Sequence, residues 1–238
     1  MAFAFLKPSR PAKSQGRAWR IGWFVGRAIV WFLAISVGLV LLYRFVPPPV
    51  TATMLMDPHG FTKDWTSLSD IDRNMVDAAI AGEDGKFCRH SGFDKEAIQE
   101  AFERNQRGGR IRGGSTISQQ TAKNVFLWQG GGYFRKGLEA YFTVLIETVW
   151  GKRRIMEVYL NVAETGIGTY GVEAGAQRYY RKSAARLSAV EAARIAAVFP
   201  LPKERAVHGA SGFTRRHGNA IASRIGAVRR DGLDTCIY

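Results

Sequence analysis

Residues 81–94 read AGEDGKFCRHSGFD and separate two segments with helical periodicity. Ser69 can cap the helix before them and Asp94 the helix after them, because apolar residues at helical spacing follow both. The adjacent carboxylates Glu83 and Asp84 therefore end a helix and enter a loop of apolar and basic residues. A carboxylate there can be desolvated and basic enough to remove a proton. A solvated helix terminus is the alternative interpretation.

Helical periodicity continues through most of the chain beyond residue 60. Ser188, followed three residues later by Glu191, forms a capping box, which predicts a helix that Pro200 stops. Strand signals are few and short, and no internal repeat is evident. The other predicted helices are one that opens at Ser115, residues 134–150, residues 152–162, and a basic helix over about 214–232. The pattern predicts a mainly α domain.

The N-terminal part predicts a membrane anchor. Residues 21–43 are apolar except at Arg27, and at 1.5 Å per residue they span about 34 Å, enough to cross a bilayer core. Residues 1–27 hold six cations and no acid, a large share of the formal charge of +14. The predicted division is a basic cytoplasmic N-terminus at 1–20, a transmembrane anchor at 21–45, a proline-containing linker at 46–59 and one domain at 60–238.

A cleaved signal peptide is the alternative to a permanent anchor. Its apolar region would be shorter, and no A-x-A-like site follows the apolar residues here. Cations before the span and few after it predict a cytoplasmic N-terminus and, in a bacterium, a periplasmic domain on a single-pass inner-membrane anchor. Cys88 and Cys236 could pair there, but so distant a pair is no framework, and we expect no essential disulfide.

Residues 113–124, GGSTISQQTAKN, form a second candidate site. Paired glycines and hydroxyls open a helix, two amides can bond sugar hydroxyls, and Lys123 follows two turns later. Helix-start N–H groups with a nearby lysine suit an anion. An ordinary capped helix is the alternative.

Arg135, Lys136 and Glu139 form a third candidate site, with two cations one helical turn from a carboxylate. This arrangement can hold a diphosphate. An exposed i,i+4 ion pair is the alternative.

Three other patterns are poor candidates. Residues 166–171 match the G-x-G-x-x-G fingerprint but follow a helical pattern, which favours a turn between two helices over a dinucleotide site. Residues 108–115 are glycine-rich, but Gly114 stands where a phosphate-binding loop needs lysine. The four histidines lack a short metal-binding spacing.

Taken in order, these segments resemble the family 51 glycosyltransferases, the peptidoglycan polymerases, over roughly residues 60–205. Departures are mild, at Ser118, Met156 and Phe199. The motifs that carry the resemblance are Glu83-Asp84-x-x-Phe87-x-x-His90-x-Gly92-Phe93-Asp94, residues 113–124, Arg135-Lys136-x-x-Glu139, Lys152-x-x-Ile155-x-Glu157-x-Tyr159-Leu160-Asn161 and Ala196-Ala197-Val198-Phe199-Pro200-x-Pro202.

The resemblance implies a lysozyme-like helical domain that polymerises lipid II, a disaccharide pentapeptide on undecaprenyl diphosphate. The product is a β-1,4-linked glycan, formed with inversion and release of the lipid diphosphate. By resemblance, Glu83 is the general base on the acceptor 4-hydroxyl, and Glu139 assists the leaving diphosphate, where a divalent cation (Mg²⁺ or Mn²⁺) could take part. The residues implied to bind substrate are Lys123, Arg135 and Lys136, which offset the diphosphate charge, and Ser115, Thr116, Gln119 and Gln120, which line the donor site.

The expected partners are lipid II, the growing glycan chain, the membrane and other cell-wall synthesis proteins, but not nucleic acid. No other cofactor is required. The motif set of a penicillin-binding transpeptidase is missing, so we expect no cross-linking activity. The competing hypotheses are a lysozyme-like enzyme that cleaves glycans and a non-catalytic, membrane-anchored adaptor. An aromatic segment at 126–134 is predicted either to enter the bilayer or to pack in the core.

Overall fold

The computed structural model describes residues 13–106 and 114–238, and most of these are helical. This confirms the predicted mainly α class. The chain divides into two compact units, Met1–Leu42 and Tyr43–Tyr238. Residues 1–12 of the predicted basic N-terminus, and most of the glycine-rich stretch 108–115, lie outside the described residues.

Helix α1, Lys13–Phe45, contains the predicted anchor. Within Trp19–Phe45, a window of 18 residues has a mean hydropathy of 2.2, and only 11% of that window is buried. At 1.5 Å per residue, Trp19–Phe45 gives a helix of roughly 40 Å, which is long enough to cross a bilayer. Length, composition and exposure therefore suggest a membrane anchor.

The second unit is a helical domain with one small sheet. Strand β1 pairs with β3 in parallel, Thr62 opposite Thr169, and β2 pairs with β3 antiparallel, Glu164 opposite Tyr170. The elements are α2 (Ala52–Leu55), β1 (Thr62–Lys63), α3 (Arg73–Glu83), α4 (Lys95–Gln106), α5 (Ile117–Phe126), α6 (Gly132–Val149), α7 (Lys152–Val162), β2 (Glu164–Gly166), β3 (Thr169–Tyr170), α8 (Val172–Tyr180), α9 (Ala189–Ala196) and α10 (Gly212–Arg230).

Most predicted helix starts are close to the observed ones. The α7 bounds agree with the prediction, and Ser188 and Glu191 form the expected capping box. Asp94 Oδ1 accepts a hydrogen bond from the Ala97 N–H at 2.9 Å, as a cap does. Thr116, one residue after the predicted Ser115, caps α5.

The predicted cap of α3 is wrong. Ser69 lies in a short 3₁₀ turn, Leu68–Asp70, and the chain is still extended at Ile71. Asp72 caps α3 instead, because its side chain accepts a hydrogen bond from the Asn74 N–H at 2.8 Å. The helix therefore begins later, and Glu83 is its last residue.

Residues 46–59, predicted as a linker, contain helix α2 and buried side chains. Met54 is 1% exposed and Asp57 is 8% exposed, and α2 packs against α5. The compact unit begins at Tyr43, well before the predicted boundary at residue 60. The stretch thus belongs to the domain because it buries apolar surface there.

Residues 166–171, predicted as a turn between two helices, lie between α7 and α8 but contain strands as well. Gly166 ends β2, and Thr169 and Tyr170 form β3. The glycines of the fingerprint therefore shape a hairpin rather than a nucleotide-binding turn.

Two groups of helices make up the core. Helices α3, α9 and α10 pack together, and α5 packs against both α6 and α7. At Gly82 a Cβ would lie 2.9 Å from Ile221 Cδ1, so a glycine allows α3 and α10 to approach closely just before Glu83. The end of α3 lies at the start of α5, because the Ile117 N–H donates to the Asp84 carboxylate at 3.0 Å.

Cys88 and Cys236 form a disulfide, with their Cα atoms 5.4 Å apart. The sequence allows this pairing but gives no reason to expect an essential disulfide. The two residues meet because α10 returns along α3 and carries the C-terminal residues to the loop after Glu83.

Candidate active site

Glu83 occupies a desolvated position at the end of α3. Its Oε2 accepts a hydrogen bond from Gln120 Nε2 at 2.7 Å, while its Oε1 is buried and has no partner among the described residues. Burial raises the pKa of Glu83. The hydrogen bond from Gln120 and the charges of Arg205 and Lys123 act in the opposite direction, and Asp84 adds to the rise. The carboxyl group can therefore take up a proton more readily than an exposed glutamate.

Asp84 fixes the loop that follows Glu83. Its Oδ2 accepts a hydrogen bond from the Ile117 N–H at 3.0 Å, which ties the end of α3 to the start of α5. His90 Nδ1 accepts from the Gly92 N–H at 3.1 Å, so His90 Nε2 is the donor to Asp84 Oδ1, at 2.9 Å. Asp84 therefore holds the backbone next to Glu83 from two sides.

Glu139 lies on α6 and is only 3% exposed. Its Oε2 accepts a hydrogen bond from Arg135 Nη1 at 2.7 Å, and its Oε1 accepts one from Lys136 Nζ. Lys136 Nζ also donates to Ser115 Oγ at 3.2 Å, and half of its side chain remains exposed. Glu139 is therefore not part of an ordinary exposed ion pair, because its carboxylate is buried and bonds both Arg135 and Lys136.

Lys123 connects the two carboxylates electrostatically. It is half-buried on α5, and burial lowers its pKa. Arg135 and Lys136 lower it further, while the negative charges of Glu139 and Glu83 raise it. Gln120 on α5 bonds Glu83, and Ser115 just before α5 bonds Lys136, which pairs with Glu139, so the two predicted catalytic residues border the same helix.

A cavity of about 490 Å³ reaches Gln120, the residue that donates to Glu83, although Glu83 itself does not line it. Gln120, Lys123 and Tyr159 line it, and the Tyr159 hydroxyl donates to Gln120 Oε1 at 3.4 Å. The cavity reaches Asp57 and Lys203 at its other end and is large enough for a sugar unit.

The remaining predicted substrate residues divide by position. Thr116 and Gln119 are buried and form the capping box of α5, and Thr116 Oγ1 also donates to the Gly92 carbonyl at 2.6 Å. Their side chains therefore shape the helix start rather than line the cavity. Gln120 and Lys123 line it, and Ser115 accepts a hydrogen bond from Lys136.

A polar group that no sequence motif indicated also lines the cavity. Asp57 Oδ2 accepts hydrogen bonds from Tyr170 at 2.7 Å and from Lys203 at 2.8 Å. Lys203 Nζ also lies 3.9 Å from Glu164. These residues come from separate segments and form no motif in sequence, so only the fold reveals the group.

The aromatic segment divides between the two predicted alternatives. Leu127 is 2% exposed and Phe126 stacks on Phe142, so these residues pack in the domain. Tyr133 and Phe134, at the start of α6, are 98% and 73% exposed.

A divalent cation near Glu139 stays a prediction, because such an ion can be held by one or two carboxylates together with substrate phosphates. Both carboxylate oxygens already bond the cations Arg135 and Lys136. Over the described stretches 13–106 and 114–238, no group of three or more His, Cys, Asp or Glu side chains could hold a metal ion. Divalent cations favour several oxygen ligands around one point. Among the described residues, the positive charge beside Glu139 is that of Arg135 and Lys136.

A buried carboxyl group near a sugar-sized cavity, with cations close by, suits an enzyme that acts on glycans. The family model for Transglycosylase matches residues 51–225. A biosynthetic peptidoglycan transglycosylase of Caulobacter vibrioides is 52% identical over 212 residues, covering 87% of this chain and 93% of that protein. Proteins of the same name are 47% identical in Pseudomonas putida (87% of this chain, 88% of that protein) and 50% identical in Pseudomonas syringae pv. syringae (81% and 86%).

The chain therefore belongs to the transglycosylase family. It is a peptidoglycan glycosyltransferase, which confirms the predicted enzyme class. Peptidoglycan synthesis implies a periplasmic side, and the apolar helix α1 suggests a membrane anchor.

Proposed function

We propose that this enzyme polymerises lipid II into β-1,4-linked glycan and releases undecaprenyl diphosphate. The single observation that carries the proposal is the placement of Glu83. Oε1 of Glu83 is buried and has no hydrogen-bond partner among the described residues. Oε2 of Glu83 accepts a hydrogen bond from Gln120, which lines the cavity. An acceptor sugar in the cavity can bring its 4-hydroxyl to this carboxyl group, which removes the proton as the oxygen attacks the anomeric carbon of the donor.

The surroundings of the two carboxylates support different roles. Glu83 has no ion-pair partner in the described part of the chain, and its pKa is raised by burial, as suits a general base. Glu139 is engaged by Arg135 and Lys136. We assign Glu139 the role of orienting these two cations toward the diphosphate.

Lys123, Arg135 and Lys136 offset the charge that develops on the leaving diphosphate. Lys136 is half-exposed, so its ammonium group can reach a bound phosphate without breaking the core. A diphosphate also favours the charged form of Lys123, whose pKa burial lowers. Positioning and electrostatic stabilisation are enough for this reaction, because the donor carries its own leaving group.

Helix α1 supports an anchored arrangement of enzyme and substrate. With a single-pass anchor and a cytoplasmic N-terminus, the domain, residues 43–238, would lie on the periplasmic face. The enzyme and a lipid-linked donor would then both diffuse in the plane of the same membrane. The exposed Tyr133 and Phe134 suit contact with the bilayer surface. The expected partners are therefore lipid II, the growing glycan, the membrane and other cell-wall synthesis proteins.

The test is polymerisation of fluorescent lipid II by the full-length chain and by Glu83→Gln. Loss of a general base lowers the rate of reaction by a factor of about 10² to 10⁴. The variant should therefore polymerise lipid II at least about 100-fold more slowly than the wild-type chain. Glutamine has the same shape and removes a buried charge, so the melting temperature should not fall. Normal polymerisation by Glu83→Gln would overturn the base assignment, and no polymer from the wild-type chain would overturn the substrate assignment.

A further inference from the structure

The Cys88–Cys236 disulfide connects the loop after Glu83 to the end of the chain. Cys88 lies in a 3₁₀ turn, Phe87–Arg89, between Asp84 and His90. The Cys236 N–H also donates to Cys88 Sγ at 3.3 Å. The cross-link thus attaches to the segment that supports the proposed general base.

The C-terminal segment, residues 231–238, makes hydrogen bonds to the rest of the domain on both sides of Cys236. Before Cys236, Asp234 Oδ2 accepts a hydrogen bond from Arg73 Nε at 2.9 Å, at the start of α3. After it, the Ile237 carbonyl accepts one from Arg153 Nη1 on α7 at 2.9 Å, and Ile237 is 4% exposed. The far end of the disulfide is therefore held by the scaffold.

The near end of the disulfide is coupled to Glu83 through Asp84. The Phe87 N–H donates to the Asp84 carbonyl at 3.1 Å, and the turn then leads to His90, which bonds the Asp84 carboxylate. Phe87 is fully buried, with Lys152 Nζ 4.5 Å from its ring centre. A displacement of the turn would move Asp84 and, with it, the adjacent Glu83.

We propose that the Cys88–Cys236 disulfide is a positioning element for Glu83, which holds the 84–92 loop so that the carboxyl group stays at its working place. The inference rests on the proposed role of Glu83 as the base. Opening the cross-link should slow the chemical step and leave substrate binding unchanged.

The pH dependence of the rate distinguishes positioning from general stabilisation. The charged and titratable groups that face Glu83 are Asp84 at the end of α3, Lys123 on α5, Tyr159 on α7 and Arg205 beyond α9. A loosened loop admits water to Glu83, and its pKa then falls toward the ordinary value of 4.5. Because the base acts when deprotonated, the acidic limb of the kcat profile should move to lower pH.

The test compares the full-length chain with Cys88→Ser/Cys236→Ser in lipid II polymerisation. Misplacement of a catalytic group by about 1 Å can cost roughly 100-fold, so we expect kcat to fall by about ten- to a hundredfold with KM unchanged. Arg230→Ala is the matched control, because Arg230 is exposed and pairs only with Asp231 in the described structure. If the double serine variant does not fold, reducing the folded wild-type protein with a phosphine opens the same bond.

Amide hydrogen exchange gives a readout that does not depend on the proposed function. Faster exchange confined to residues 84–92 and to the Ile117 amide would support the inference. An unchanged kcat in the opened protein, or faster exchange throughout the domain, would overturn it. If the wild-type chain makes no polymer, the proposed function fails, and the exchange pattern alone then decides whether the disulfide positions the loop.

Discussion

Replacing Gln120 by leucine tests how the protein sets the basicity of Glu83. Gln120 Nε2 donates to Glu83 Oε2 at 2.7 Å, and this bond favours the charged carboxylate. It therefore opposes burial, which raises the pKa of Glu83. Leucine cannot donate, so the pKa of Glu83 should rise further in the variant.

The size of this effect follows from the charge on the acceptor. A hydrogen bond to a charged group contributes about 1.5–3 kcal/mol, and one pKa unit corresponds to about 1.4 kcal/mol. The pKa of Glu83 should therefore rise by roughly one to two units. Because the base must be deprotonated, the acidic limb of kcat should move to higher pH by the same amount. This is opposite to the direction expected when the disulfide is opened.

The assay is the initial rate of lipid II polymerisation at saturating substrate over a series of pH values. Gln129→Leu is the matched control, because Gln129 lines the same cavity and makes no hydrogen bond to Glu83 in the described structure. The control should keep the wild-type acidic limb. A folded Gln120→Leu enzyme with an unmoved limb would show that Glu83 is not the group whose ionisation controls the rate.

Two further perturbations test the charged groups. Lys136→Ala should weaken the binding of inorganic diphosphate by about tenfold or more, since charge-assisted hydrogen bonds contribute about 1.5–3 kcal/mol. Calorimetry should show a smaller loss of affinity for a phosphate-free disaccharide. Equal losses for both ligands would indicate misfolding. Burial alone would raise the pKa of Asp57, but hydrogen bonds from Lys203, His59 and Tyr170 hold it below its ordinary value of 3.8. Asp57→Asn should therefore lower the free energy of unfolding, measured in urea, by about 1–3 kcal/mol at pH 7. The difference between wild type and variant should shrink as the pH falls below about 4, where Asp57 of the unfolded chain becomes protonated. A difference that does not depend on pH would refute the role of the charge.

Local signals in the sequence were enough to predict most of the helices. Residues 152–162 carry an apolar face and follow Gly151, and the observed α7 has the same bounds. Ser188 and Glu191 satisfy each other within one turn, so their capping box needs no distant partner. The start of α3 was not predictable in this way, because Ser69, Asp70 and Asp72 are all acceptable caps and packing selects among them.

The site depends on contacts between distant segments, which spacing does not encode. Gln120 and Glu83 are 37 residues apart, and the cysteines are separated by 148. The family resemblance of the ordered motifs implied that Glu83 and Gln120 both belong to the active site, but not that they bond each other. The sequence allowed the cysteine pair but gave no reason to expect it, and Asp57 and Lys203 both lie outside those motifs. The fold reveals both because α10 and the segment after α9 return to the site.

The contacts of the second carboxylate separate a glycan-building enzyme from a glycan-cleaving one. A glycosidase directs a protonated carboxyl group at the leaving sugar oxygen, because a neutral glycosidic bond needs that proton to break. Both oxygens of Glu139 are instead engaged by Arg135 and Lys136, so neither is directed at a sugar. The same two cations suit an expelled diphosphate, which leaves as an anion and needs no proton. On the proposed roles, a base at Glu83 and the two cations beside Glu139 suit transfer from a diphosphate donor, whereas cleavage of a neutral glycosidic bond has no use for those cations.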